Sequence, residues 1–137
     1  MNKRSALIKW YRIENFFYRH RMKLFAKLFY GLIYLLFNCV IPPSCKIGSD
    51  CDFGHSVGIV LHHETEIGRG TKIYQNVTIG GGRRVICENC YIGAGAVILA
   101  DVGSNVKIGA NAVVVDDIPD NVTAVGVPAR IIKETEG

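Results

Sequence analysis

A parallel β-helix behind a helical arm is the fold class this sequence predicts, and three observations predict it. Isoleucine or an equivalent recurs every six residues, at 41, 47, 53 and 59, at 67, 73 and 79, at 86, 92 and 98, and at 102, 108 and 114. Small or β-branched residues stand two positions earlier, at Cys45, Cys51, Val57, Thr65, Thr71, Val77, Cys90, Ala96, Val106 and Ala112. Glycine commonly follows the periodic residue, as in "KIGSDC", "EIGRGT", "YIGAGA" and "KIGANA". A period of six with alternate side chains apolar describes short strands that each end at a corner where glycine relaxes the backbone. Three such hexapeptides close one triangular coil, so residues 41–118 give about four coils around one apolar column. The spacing slips at 59→67, 79→86 and 98→102, which marks insertions or deletions at corners. No helical period of ten or more residues separates the strands, which disfavours a doubly wound α/β fold.

The elements follow in chain order. Residues 1–39 form the arm and 40–137 the body. Residues 1–27 hold eight Lys and Arg against one acid, so the body sums to a slightly acidic charge and the basic pI of about 8.9 belongs to the arm. The body is therefore no nucleic-acid-binding surface on charge grounds. Lys9, Arg12, Arg19, Lys23 and Lys27 fit one helical face over residues 5–38, and Trp10, Ile13, Phe17, Leu24 and Leu28 another. That pattern suits either peripheral contact with an anionic membrane or packing against coils and neighbouring subunits. The uncharged run Leu28 to Ile41, "LFYGLIYLLFNCVI", is shorter than the ~20 residues of a membrane span and is followed by no signal-cleavage pattern. A cytoplasmic protein is expected, at most peripheral on the inner membrane face, with reduced thiols. Cys45, Cys51 and Cys90 occupy inward slots as compact hydrophobes, and "CENC" lacks the second pair a zinc site requires. No metal is expected.

Three histidines fall in "GHSVGIVLHHETEIG", residues 54–68. The set formed by "GHSVGIVL", "YQNVTIGGG", "IGAGAVIL" and "VPARII" resembles the left-handed β-helix acyltransferases. Within these it is most similar to the serine acetyltransferase branch, with its relatives in capsule and exopolysaccharide biosynthesis. The resemblance spans roughly residues 40–133. It implies a homotrimer, acetyl-CoA as co-substrate, and transfer of acetyl to a hydroxyl or amine. It also implies that His55 is the base: a neutral imidazole takes the acceptor's proton and returns it to the leaving thiolate, with no acyl-enzyme. Corner glycines would let a backbone N–H approach the developing oxyanion. His62 and His63 fall in the eight-residue step between runs, hence on a corner, with His63 as reserve base and as a substrate contact.

On the same resemblance, acetyl-CoA lies against Gly80, Gly81, Gly82, Gly95, Ala96 and Ala112, with Arg130 and Lys133 toward its phosphates. Arg83 and Arg84 face the acceptor. The departures carry information too. Serine acetyltransferases place aspartates directly before the base and fifteen residues earlier, where this chain has Gly54 and Val40, and its loop "GGGRRV" keeps the arginines but no histidine. A site lacking those polar partners is poorly built for zwitterionic serine, so a sugar or glycan hydroxyl is the expected acceptor. Asp52 or Glu64 remains available to assist His55. Three alternatives compete: a true serine acetyltransferase, a metal-dependent β-helix enzyme like the γ-type carbonic anhydrases, and a non-catalytic membrane-associated scaffold.

Overall fold

A computed structural model of the chain describes residues 6–134, so the outermost parts of the arm and the body, 1–5 and 135–137, lie outside the described residues. The body is a left-handed β-helix of about four coils, built from two-residue strands stacked in parallel on three faces. The inward column of the first face is Ile41, Leu61, Ile79, Ile98 and Val114, joined by a bridge at Val40↔Val60 and by ladders such as Val60–Leu61 on Thr78–Ile79. The second face stacks Ile47, Ile67, Ile86, Val102 and Ile118. The third stacks Phe53, Ile73, Ile92, Ile108 and Ala124. All these side chains are buried, which is what fuses coils too small to fold alone into one core. At the far end, Val122–Val125 pairs antiparallel with Arg130–Glu134 and closes the third face.

The periodicity placed the first phase slip one strand too late. Leu61, not Ile59, registers with Ile79, so the eight-residue step runs from Phe53 to Leu61 and the step from 61 to 67 is a regular six. Ile59 takes the inward slot two positions before Leu61 and is fully buried, while Val57 is 46% exposed. Two adjacent apolar residues, at 59 and 61, satisfied the six-residue rule equally well. The insertion therefore contains His55, and His62 and His63 sit on an ordinary corner.

Corners need a left-handed backbone residue, and asparagine supplies it as often as glycine. Asn76, Asn89, Asn105, Asn111 and Asn121 all have φ between 55° and 60°, a conformation their short amides tolerate. Gly58 and Gly95 stack beside Asn76 and Asn111, where a Cβ would fall 2.1 and 2.2 Å from the amide oxygens. The inward thiols of Cys45, Cys51 and Cys90 donate to the carbonyls of His62, Gly68 and Gly103, and all five cysteines are free.

The arm is two antiparallel helices rather than one amphipathic rod. α1 (Ala6–Arg19) and α2 (Lys23–Phe37) are separated by a turn in which Arg21 is left-handed. Gly31 sits inside α2 and breaks nothing. α1 caps the first coil: the Tyr11 phenol donates to the Cys45 carbonyl, Arg12 donates to Ile47 O and Gly48 O, both at 2.6 Å, and Asn15 donates to Pro43 O. Burial pushes the Cys45 thiol up to about 12 and raises the Tyr11 phenol as well. Trp10 and Phe17, expected on a lipid face, pack instead against Phe29 between the helices. None of the described helices is long and apolar enough to cross a membrane.

Candidate active site

The three edges of the prism separate the candidate residues. The edge between the third and first faces begins at the 54–58 insertion. There His55 is exposed, with φ 51°, on a turn closed by Val57 N–H to His55 O at 2.6 Å and by Ser56 Oγ to Phe53 O at 2.6 Å. Gly58 N–H to Asn38 O ties this turn to the start of the first coil, so Val40 lies beside the same edge. The His55 ring stands 6.4 Å from Tyr74, which stands 5.1 Å from Tyr91 in the next coil. The two phenols interact, and the contact raises the Tyr91 pKa. Gly54 is open: a Cβ there would make an ordinary 3.5 Å contact with Tyr74.

Down this edge the corners are Gln75–Asn76, Ala94–Gly95, Ala110–Asn111 and the Gly126 turn. They are linked by Asn76 N–H to Val57 O, Gly95 N–H to Gln75 O, Asn111 N–H to Ala94 O and Val113 N–H to Gly126 O, at 2.9–3.0 Å. Arg130, exposed, follows the last of these turns opposite Val125, and Lys133 lies opposite Thr123 on the third face. His55, Gly95 and Arg130 therefore share one edge. Ala96 and Ala112 do not face it. Both are fully buried in the inward slot, so their methyl groups meet the core and only their backbone borders the groove. Ala94, beside Gly95 in the same corner, and Ala110, in the corner of the next coil, present the outward small side chains, and the sequence reading missed them. The signal was available, since each follows a glycine directly after a column residue.

The remaining candidates lie on the edge between the first and second faces. Gly80, Gly81 and Gly82 form the widened corner between Ile79 and Ile86, with φ of 73° and 113° at Gly81 and Gly82. Arg84 folds back onto this loop, donating to Gly80 O and Gly81 O at 3.2 and 2.6 Å. Arg83 turns to Glu66 at 2.9 Å, with Lys46 at 3.4 Å from the same carboxylate, which holds the Glu66 pKa below its usual value. His63 lines a shallow cavity with Arg83, Lys46 and Tyr18. His62 Nδ1 accepts from Glu64 N–H, and His63 Nε2 is 3.4 Å from the Glu64 carboxylate. These three residues put their ligand atoms within 4.8 Å of one another on an exposed turn. Glu64 is thereby engaged away from His55, and of the two acids considered as its helpers only Asp52, on the third face, is near its edge. Within one protomer, then, His63, Arg83, Arg84 and the triple glycine do not join His55. A cavity of about 790 Å³ between α1 and the second face, lined by Tyr11, Arg12, Lys46 and Glu66, is also remote from it.

No family model matches the chain. The chain is similar to the serine acetyltransferase of Haemophilus influenzae, with 38% identity over 136 residues that cover 93% of this chain and 51% of the relative. To that of Synechococcus elongatus it is 34% identical over 131 residues, 89% of this chain and 54% of the relative. Among solved structures, the Neisseria gonorrhoeae serine acetyltransferase superposes with a TM-score of 0.90 at 31% identity, over 96% of this chain and 54% of that one. A serine acetyltransferase in complex with CoA superposes with a TM-score of 0.87 at 40% identity, over 92% and 55%. The chain thus spans about half the length of the curated relatives it matches.

Proposed function

We propose that the chain is an acetyl-CoA-dependent O-acetyltransferase in which His55 is the general base. The observation that carries this is the His55 turn itself. Its two-residue insertion lifts an exposed imidazole off an otherwise regular edge, at the head of a track of small residues. The similarity to serine acetyltransferases, one of them bound to CoA, supports the same chemistry. The residues fit an extended thioester cofactor along the edge: the outward groups are small at Ala94, Gly95 and Ala110, and a cation, Arg130, begins a strand about five strand spacings of ~4.8 Å from the one that precedes His55. In this reading Arg130 and Lys133 pair with phosphate, and the small corners let the backbone lie close to the pantetheine arm.

His55 takes the proton of the acceptor hydroxyl as the oxygen–carbonyl bond forms. It returns that proton to sulfur as the carbon–sulfur bond breaks, so neither residue nor product carries an unbalanced charge. Tyr74 borders the ring on the side of the next coil. A homotrimer belongs to the same reading, because His63, Arg83, Arg84 and Gly80–Gly82 occupy the other edge and reach a His55 only from a neighbouring protomer. The reading places the trimer in the cytoplasm, peripheral on the inner membrane face.

Two acceptors follow from two observations. The relatives' name favours L-serine. The His55 edge favours a sugar hydroxyl: Gly54 and Val40, where the family resemblance puts aspartates, supply no carboxylate for an ammonium group. Thiol release from acetyl-CoA with L-serine and with sugar acceptors, in parallel, separates them. A Gly54→Asp variant, for which the backbone has room, tests whether a restored carboxylate shifts the preference toward serine.

A further inference from the structure

α2 carries an exposed apolar stripe that none of the described residues covers. Leu24, Leu28, Gly31 and Leu35 recur at i, i+4, i+7 and i+11 on one side of the helix, and the three leucines are 78%, 54% and 77% exposed. Phe25 and Leu36 extend the stripe along one flank, and a Cβ on Gly31 would meet nothing within 4 Å. The expected lipid-facing set included Trp10 and Phe17, which the structure consumes between the helices, so the outward stripe differs from the one periodicity predicts.

The charge around the stripe is of one sign. Arg19, Arg21, Lys23 and Lys27 are all exposed at the hairpin turn and the start of α2, and the one acid among residues 6–38, Glu14, is buried. We infer that the outer face of α2 docks on an anionic lipid surface, leucines in the acyl boundary and the basic turn at the headgroups. A helix of fifteen residues is too short to span a bilayer but suits lying in its interface. A second copy of the chain is a poorer occupant, since apposing two such faces crowds like charges with no acid between them. The inference rests on the peripheral placement proposed above and is independent of acetyl transfer.

The test is flotation of the full chain with phosphatidylcholine vesicles, with and without phosphatidylglycerol, alongside native mass and acetyl transfer to a soluble acceptor. Wild type should float with the anionic vesicles, and high salt should release it. Leu24→Ser/Leu35→Ser should abolish flotation, and Lys23→Gln/Lys27→Gln should weaken it by roughly tenfold or more. Native mass and soluble turnover should stay unchanged. Absence of flotation, flotation indifferent to the leucines, or a lower native mass in the leucine variant would each overturn the inference. Loss of soluble turnover in wild type would strike the catalytic reading alone.

Discussion

Glu14 gives the sharpest test of how the arm is joined to the coils. Its side chain is fully buried on the inner face of α1, and neither carboxylate oxygen has a hydrogen-bond partner among the described residues. Burial raises its pKa from 4.5 to about 8, because an ionised carboxylate in that seam has lost its water. The folded chain therefore holds a proton that the unfolded chain releases at about pH 4.5. Stability is full below that value, falls by ~1.4 kcal/mol per pH unit as pH rises toward about 8, and levels off above it. At pH 7 the accumulated loss is about 3 kcal/mol relative to a side chain that does not titrate. Glu14→Met keeps the volume and removes both the charge and the orphaned oxygens. It should match wild type near pH 4.5 or exceed it slightly, and exceed it by about 3 kcal/mol at pH 7. Urea denaturation at pH 4.5, 7 and 9, at fixed protein concentration because an oligomer's stability depends on it, measures the difference. Parallel pH profiles for the two proteins would refute the reasoning.

Three further outcomes follow from single contacts. His55→Asn suits the left-handed backbone at φ 51° and should leave the melting transition intact while lowering turnover about 100-fold or more; the same change at His62 or His63 should alter turnover only a few-fold. Thr71 Oγ1 donates to Cys87 O and accepts from Cys90 N–H, whereas the equally buried Thr65 Oγ1 has no partner among the described residues. Thr71→Val should thus cost about 1–3 kcal/mol in denaturant unfolding, and Thr65→Val should be neutral or stabilising. Gly95→Ala, at φ 74° with Asn111 Oδ1 in the way of the new methyl, should destabilise by about 1 kcal/mol or more and lower acetyl-CoA affinity.

The fold was legible because burial in a β-helix is periodic and local. Each column residue from Ile41 to Val114 could be found from its spacing alone, apart from the 59/61 pair, where two apolar residues competed for one slot. Edges were less legible. Which edge a corner joins depends on every insertion before it, so misplacing one slip put the insertion at the corner of His62 and His63 and left His55 outside it. Ala96 and Ala112 show the other limit: small residues line both the narrow interior and an open groove, and only register distinguishes Ala96 from Ala94. In the arm, helix periodicity is the same for a core face and a lipid face, so Trp10 and Phe17 read like Leu24 and Leu28 until α1 and α2 are paired. Glu14 gave no sequence signal beyond being the one acid in a basic segment.

Thiol release from acetyl-CoA by wild type and His55→Asn, with L-serine and a panel of sugars as acceptors, tests the assignment of His55 as the base. Turnover with a hydroxyl acceptor should be lost in the variant while its fold and oligomeric mass persist, and a sugar should be preferred over serine because Gly54 and Val40 supply no carboxylate. Full activity in His55→Asn, with any acceptor, would contradict that assignment.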